Sequence, residues 1–162
     1  GNCNTAPFNV QLKDFGRHDL RVRARVMVTH QDGFVGLCVR SNASANPMGI
    51  NLRVQPGGPG LRLYQNNSAL PQTRTLGVPT AFTTRTWYTL DLQAEGHRVI
   101  GRLYDASDNA VLLEQVECTL PDEAERQHAG FIARGNGERA DWFQFGVRQA
   151  ASKLRKPTKD SP

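Results

Sequence analysis

Six polar residues stand out because they alternate with apolar residues in three short segments, LRVRARV, INLRV and GLRLY. They are Arg21, Arg23, Arg25, Arg53, Arg62 and Tyr64. A guanidinium binds a carboxylate or sulfate through paired hydrogen bonds, and an aromatic ring stacks on a flat partner. If the strands bring these side chains onto one surface, the pattern predicts a site for an anionic ligand. The alternative is a solvated sheet face on which the arginines pair with Asp and Glu of adjacent strands.

The two tryptophans are further candidates for ligand contact. An exposed indole is a stacking platform, whereas a buried indole belongs to the core or covers a sheet edge. Trp87 starts a predicted strand, and we expect it to be covered. Trp142 directly precedes the apolar strand FQFGV, so we assign it to the ligand-binding set.

The three cysteines, Cys3, Cys38 and Cys118, lie too far apart for a paired zinc motif or a CxxC redox site. The sequence is compatible with one disulfide and one free thiol. A pairing of Cys38 with Cys118 is among the three that exist, and it requires Cα atoms within about 7 Å. Cys38, inside VGLCV, is equally explained as a small buried apolar residue.

Catalytic and zinc motifs are absent from the sequence. The four histidines show neither HxH nor HxxxH spacing, and no serine lies in a Gly-x-Ser-x-Gly turn. The sequence therefore assigns no catalytic residue and favours a function other than catalysis.

The net charge of +5 is unevenly distributed. Residues 150–162 hold four basic residues and one acid, so 16 basic and 14 acidic side chains remain in 1–149. We interpret 1–149 as one domain and 150–162 as a basic tail or linker to another domain. Because basic and acidic side chains are nearly equal in number in 1–149, the charge of this domain gives no indication of a nucleic-acid partner. The sequence has no apolar run near the 18 or so residues of a membrane span, so none is expected.

Period-2 alternation recurs along nearly the whole chain, which predicts about eleven strands. They are 8–12, 18–28, 33–40, 48–55, 60–66, 72–77, 87–94, 97–105, 109–117, 128–134 and 140–149. Short turn-forming segments such as QDG, EG and SDN join them, so most sequence neighbours are expected to pair antiparallel. The pattern predicts an all-β sandwich or barrel with at most one helical turn, near 121–127.

The order of these segments resembles a known superfamily. WYTLDLQAEGHRVIGRLYD at 87–105, followed by HAGFIAR and the closing ADWFQFGV, is similar to the concanavalin A-like superfamily, in particular its laminin-G-like and family-16-glucanase-like modules. The resemblance covers residues 8–149 and implies a two-sheet antiparallel jelly roll. It also implies a secreted or cell-surface location and a polysaccharide or glycoconjugate as partner.

Departures from the superfamily limit this expectation. The Glu-x-Asp-x-x-Glu strand of the glucanases is missing, and Glu114 and Glu117 have the wrong spacing to share a strand face. The sugar-binding motifs of galectins are missing as well. Related modules often hold a calcium ion, for which Asp32, Asp105, Asp108 and Asp141 are available, although turn chemistry explains each aspartate.

Three functions are compatible with these observations. The favoured function is a non-catalytic extracellular lectin-like or adhesion module that binds carbohydrate, with anionic glycans as one class. The second is a structural subunit of a surface assembly or fibre. The third is an enzyme similar to the 3-keto-disaccharide hydrolase-like domains, which requires Asp91, Glu95, His97 and Asp105 to lie together.

Overall fold

The computed structural model describes residues 9–16, 19–42, 49–122, 126–134 and 139–147, without the side chains of 9–12 and 139–147. These residues form twelve strands. The strands β1 to β12 are Asn9–Asp14, Leu20–Met27, Phe34–Ser41, Ile50–Val54, Arg62–Gln65, Ser68–Ala69, Thr73–Gly77, Tyr88–Glu95, Arg98–Asp105, Leu112–Thr119, His128–Arg134 and Arg139–Val147. All eleven predicted strands are present, and the two-residue strand β6 adds the twelfth.

The strands form two six-stranded antiparallel sheets. Sheet A has the order β1-β11-β3-β4-β5-β6, and sheet B has the order β12-β2-β8-β9-β10-β7. The consecutive strands β3 to β6 are hairpin neighbours in sheet A, and β8 to β10 are hairpin neighbours in sheet B, whereas the chain changes sheet after β1, β2, β6, β10 and β11. The prediction of an all-β, two-sheet jelly-roll sandwich is confirmed.

The core lies between the sheets and is built from one parity of each strand. On β2 the inward residues are Leu20, Val22, Ala24 and Val26, all at most 2% exposed. Opposite them, β3 and β4 contribute Val35, Leu37, Val39, Ile50, Leu52 and Val54. Burial of these branched side chains is the main stabilising contribution, at about 25 cal/mol per Å² of apolar surface. The predicted inward sets of β2, β4 and β8 are confirmed.

A buried arginine joins the two sheets at one end of the core. Arg40 has a positive φ of 51° at a register shift between β3 and β11, so its side chain leaves the regular alternation. The side chain is fully buried, and its Nη2 donates to Asp19 Oδ1 at 2.9 Å. The same oxygen accepts from the Gly96 backbone N–H at 3.0 Å, in the β8–β9 turn of sheet B.

A buried carboxylate also connects the two sheets, near the start of β5. Glu114 on β10 is fully buried, and Arg74 donates to its Oε1 through Nε at 2.9 Å and Nη2 at 2.8 Å. The backbone N–H groups of Leu61 and Thr80 also donate to the carboxylate, at 3.2 and 3.1 Å. Gly60 is required here, because its φ is +83° and a Cβ would lie 2.6 Å from Glu114 Oε2.

Some predictions fall outside this description. Residues 123–125 of the predicted helical turn and residues 148–162, which include the proposed tail, are not among the described residues. The division at 149/150 therefore stays a prediction. Within the described ranges, no helix is long and apolar enough to cross a membrane.

We predict that Glu114→Gln lowers the free energy of unfolding by about 2–4 kcal/mol, because the substitution leaves Arg74 without a charged partner beside the core. Urea denaturation measures the change. Glu117→Gln is the matched control on the same strand; it breaks a more exposed pair with Arg98 and should cost less than about 1 kcal/mol. Equal stability of Glu114→Gln and the wild type would show that the buried carboxylate is not a structural anchor.

Candidate functional site

The two sheets separate the predicted ligand-binding residues into two groups. Arg21, Arg23 and Arg25 lie on β2 in sheet B, whereas the other described members lie on β4 and β5 in sheet A. Both groups point away from the shared core, so they occupy opposite outer faces of the sandwich. The shared surface on which a six-residue site depends is therefore not formed: β2 and β4 belong to different sheets, which the local alternation does not reveal.

On the outer face of sheet B, several arginines form ion pairs with acids of adjacent strands. Arg21 donates through Nε to Asp91 Oδ1 at 2.9 Å and also contacts Oδ2 through Nη2. This hydrogen bond raises the pKa of Arg21. Arg102 approaches the same carboxylate at 4.0 Å, and Arg98 pairs with Glu117 at 2.8 Å. On this face the arginines therefore pair with acids of adjacent strands, which is the alternative considered from the sequence.

The other two arginines of β2 stack on aromatic rings. The guanidinium of Arg23 lies 5.0 Å from the centroid of Tyr104, and that of Arg25 lies 4.8 Å from the centroid of Trp87. Such cation–π contacts contribute about 0.5–1 kcal/mol each at partly exposed positions. Trp87 is thus partly covered, as expected, and it holds an arginine rather than lying open to a ligand.

The outer face of sheet A has a different arrangement, centred on Arg53. Its guanidinium lies between two rings, 4.8 Å from the centroid of Phe34 on β3 and 4.5 Å from that of Tyr64 on β5. Arg53 Nη2 also donates to Asn67 Oδ1. Burial lowers the pKa of Arg53. The rings and the amide fix the guanidinium in one position before any ligand binds.

Arg53 and Arg62 are adjacent in the register of β4 and β5, and neither forms an ion pair with a described residue. Arg62 and Tyr64 are half-exposed. Beside them, Asn51 Oδ1 and Arg53 Nε are buried and have no hydrogen-bond partner among the described residues. This part of sheet A therefore brings together two cations without an ion-pair partner in the described ranges, an aromatic ring and a buried amide.

The local sequence explains why β5 holds its position close to the sheet edge. β6 pairs with only two residues of β5, but the side chain of Gln72 continues the pairing. Its Oε1 accepts from the Leu63 N–H at 2.7 Å, and its Nε2 donates to the Leu61 carbonyl at 2.9 Å. Asn66 and Asn67 make the β5–β6 turn with positive φ values of 50° and 66°.

Sequence reasoning missed Phe34 and Asn67. The signal for Phe34 was present, because Val35, Leu37 and Val39 define the inward parity of β3 and leave Phe34 and Cys38 on the outer face. Asn67 had no comparable signal, since a turn residue can be identified as a partner of Arg53 only when the hairpin geometry is known.

The remaining ligand-site prediction concerns Trp142. This residue lies on β12, beside β2 in sheet B. Its side chain is outside the described part of the structure, so its role stays a prediction. Since β12 belongs to sheet B, Trp142 is not part of the Arg53 arrangement on sheet A.

Cys38 and Cys118 are both free thiols in the structure. Cys38 packs with Phe34 and Ile132 on the outer side of sheet A, while Cys118 belongs to the core on β10 of sheet B. The disulfide considered from the sequence is therefore not formed. Burial raises the pKa of each thiol to about 11.

The residues considered for calcium and for catalysis do not converge among the described side chains, which do not include that of Asp141. Asp105 accepts from the N–H and hydroxyl of Ser107 and from the Val111 N–H, so its carboxylate holds its own turn. Asp91 lies in the middle of β8, whereas Glu95 and His97 lie at the β8–β9 turn. Within the described residues, no group of three or more His, Cys, Asp or Glu side chains is arranged to hold a metal ion.

We predict that native Cys38 and Cys118 resist iodoacetamide at pH 8, because both are buried and a thiol with a pKa of about 11 is about one part in a thousand ionised. Peptide mass spectrometry before and after unfolding in guanidinium chloride measures the labelling. Rapid labelling of either native thiol, or recovery of a Cys38–Cys118 disulfide peptide, would contradict this arrangement.

Comparison with solved structures places this arrangement in a known fold. The lumenal domain of VIP36 in its Ca2+/Man-bound form has a TM-score of 0.60 at 11% identity, over 91% of this chain and 74% of that chain. The Caenorhabditis elegans galectin LEC-6 has a TM-score of 0.54 at 12% identity, over 90% and 99%. The carbohydrate-binding module CBM66 from Bacillus subtilis has a TM-score of 0.53 at 16% identity, over 88% and 93%.

No protein-family model matches the sequence, and no curated protein matches it at the level of sequence. Similarity at these identities concerns the fold and not the ligand. The chain therefore shares the jelly-roll fold of these proteins, as the resemblance of its strand order predicted.

Proposed function

We propose that the protein is a non-catalytic carbohydrate-binding module that works outside the cell and binds an anionic glycan on the outer face of sheet A. The observation that carries the proposal is the Arg53 guanidinium fixed between Phe34 and Tyr64, beside Arg62. By name, the structural neighbours are a galectin, a carbohydrate-binding module and a lumenal domain in a Ca2+/Man-bound form, which supports carbohydrate as the ligand class. The secreted location and a role in adhesion rest on the resemblance to modules of secreted proteins.

The charges on the two outer faces favour sheet A for the anionic group. On sheet B, Arg21 and Arg98 already have carboxylate partners, so an anionic ligand would compete with Asp91 and Glu117. On sheet A, Arg53 and Arg62 have no such competitor among the described residues. A carboxylate or sulfate there gains charge-assisted hydrogen bonds without breaking existing ion pairs.

The ring of Tyr64 gives the second component of binding. One face of a pyranose ring carries C–H groups, which pack on an aromatic surface, while its substituents reach polar neighbours. Tyr64 is half-exposed and adjacent to Asn51 in the strand register. A sugar that stacks on Tyr64 would thus lie close to the guanidiniums of Arg53 and Arg62.

We predict that Arg62→Gln and Tyr64→Ala each weaken binding of an acidic oligosaccharide by about tenfold or more, because each removes a charge-assisted hydrogen bond or a stacking surface. Isothermal titration with oligogalacturonate and heparin-derived hexasaccharides measures the affinities. Added salt should weaken the wild-type interaction, since the contacts are half-exposed.

Arg23→Gln is the matched control, because it removes an arginine from the opposite face of the sandwich. Its affinity should remain within about twofold of the wild type. If Arg23→Gln loses binding while Arg62→Gln does not, the ligand binds sheet B and the proposal is wrong. If neither acidic oligosaccharides nor a wider array of neutral glycans bind, carbohydrate recognition itself is contradicted.

A further inference from the structure

A second concave surface lies on sheet B, away from the Arg53 arrangement. It is an open cleft of about 510 Å³ between the edge strand β7, strand β10 and the β8–β9 turn. This volume is within the range of about 300–1,000 Å³ that is typical of small-molecule sites. Its polar lining residues are Thr73, Thr75, Glu95, His97, Arg98, Glu117 and Thr119.

A rigid ion pair forms one wall of the cleft. Arg98 on β9 donates to Glu117 Oε2 on β10 through Nε at 3.1 Å and Nη2 at 2.8 Å. Gln115 Nε2 and the Thr75 hydroxyl donate to Glu117 Oε1, at 3.0 and 3.4 Å. These hydrogen bonds, that from Arg98 foremost, lower the pKa of Glu117. The carboxylate is thus ionised and held in place from both sides.

The cleft also offers hydrogen-bonding groups that the described residues leave unused. The hydroxyls of Thr73 and Thr119 and the Nη1 of Arg98 form no hydrogen bond within the described part of the chain. His97 is oriented by its Nδ1, which donates to the Leu120 carbonyl at 3.0 Å. Donors and acceptors are therefore interleaved over a short distance.

We propose that this cleft is a second ligand site and that it binds a neutral sugar through neighbouring hydroxyl groups. A fixed guanidinium–carboxylate pair presents a donor beside an acceptor, which is the complement of a vicinal diol. The threonine hydroxyls can both donate and accept, and so can sugar hydroxyls. The Arg98–Glu117 pair has no net charge, so this wall offers an anionic ligand no unpaired cation, and the cleft and sheet A favour different sugars.

Frontal affinity chromatography on the immobilised full chain tests the cleft directly. The probes are lactose, cellobiose, maltose and mannobiose. We expect retention of at least one of the four, and a weakening of about tenfold in the double variant Thr73→Val/Thr119→Val, which removes two hydroxyls at almost constant volume. Thr86→Val, an exposed threonine outside the cleft, is the control and should bind as the wild type does.

Tyr64→Ala separates this inference from the proposed function. Retention of the neutral disaccharide should survive in Tyr64→Ala, because the cleft lies on the other sheet. If retention is lost in Tyr64→Ala and unchanged in Thr73→Val/Thr119→Val, the sugar binds sheet A and the cleft is not a site. If none of the four disaccharides is retained, the cleft proposal is overturned, while binding of acidic glycans on sheet A is unaffected.

Discussion

The arrangement of functional groups depends on one constraint, namely that each strand of a two-sheet sandwich can turn only one of its faces to the shared core. Once β2 joins sheet B and β4 and β5 join sheet A, their polar side chains must point in opposite directions. Arg21 of β2 then meets Asp91 of β8, while Arg53 meets the rings of Phe34 and Tyr64. In the described part of the chain, Arg21 and Arg98 on one outer face thus have carboxylate partners, whereas Arg53 and Arg62 on the other face have none.

Two buried charges hold the sheets in this relation. Arg40 bonds to Asp19, which also holds the β8–β9 turn, and Glu114 on β10 bonds to the backbone at the start of β5. Because a buried charge is costly without its partner, these contacts tie specific positions of the two sheets together more selectively than apolar packing does. Glu114 has a direct link to the candidate site, since Leu61 immediately precedes β5 with Arg62 and Tyr64.

Local patterns in the sequence predicted the strands and their inward faces, because alternation is a property of neighbouring residues. Which strands share a sheet is set by long-range pairing, so the same alternation left open whether Arg21 and Arg53 converge, and the structure places them in different sheets. Glu114 and Glu117 illustrate what local spacing predicts and what it does not. Their spacing correctly placed them on different faces, but the partners that make Glu114 an anchor and Glu117 a wall of the cleft come from distant segments. The positive φ of Arg40 likewise has no local signal.

The central claim is that sheet A, and not sheet B, receives the acidic group of a glycan. The most direct test is a backbone-amide NMR titration of the isotopically labelled protein with a galacturonate trisaccharide. The account predicts saturable shifts on β4, β5 and the Asn66–Asn67 turn, with the amides of Arg21, Arg23 and Arg25 unchanged. Shifts that are confined to β2, β8 and β9 would contradict it.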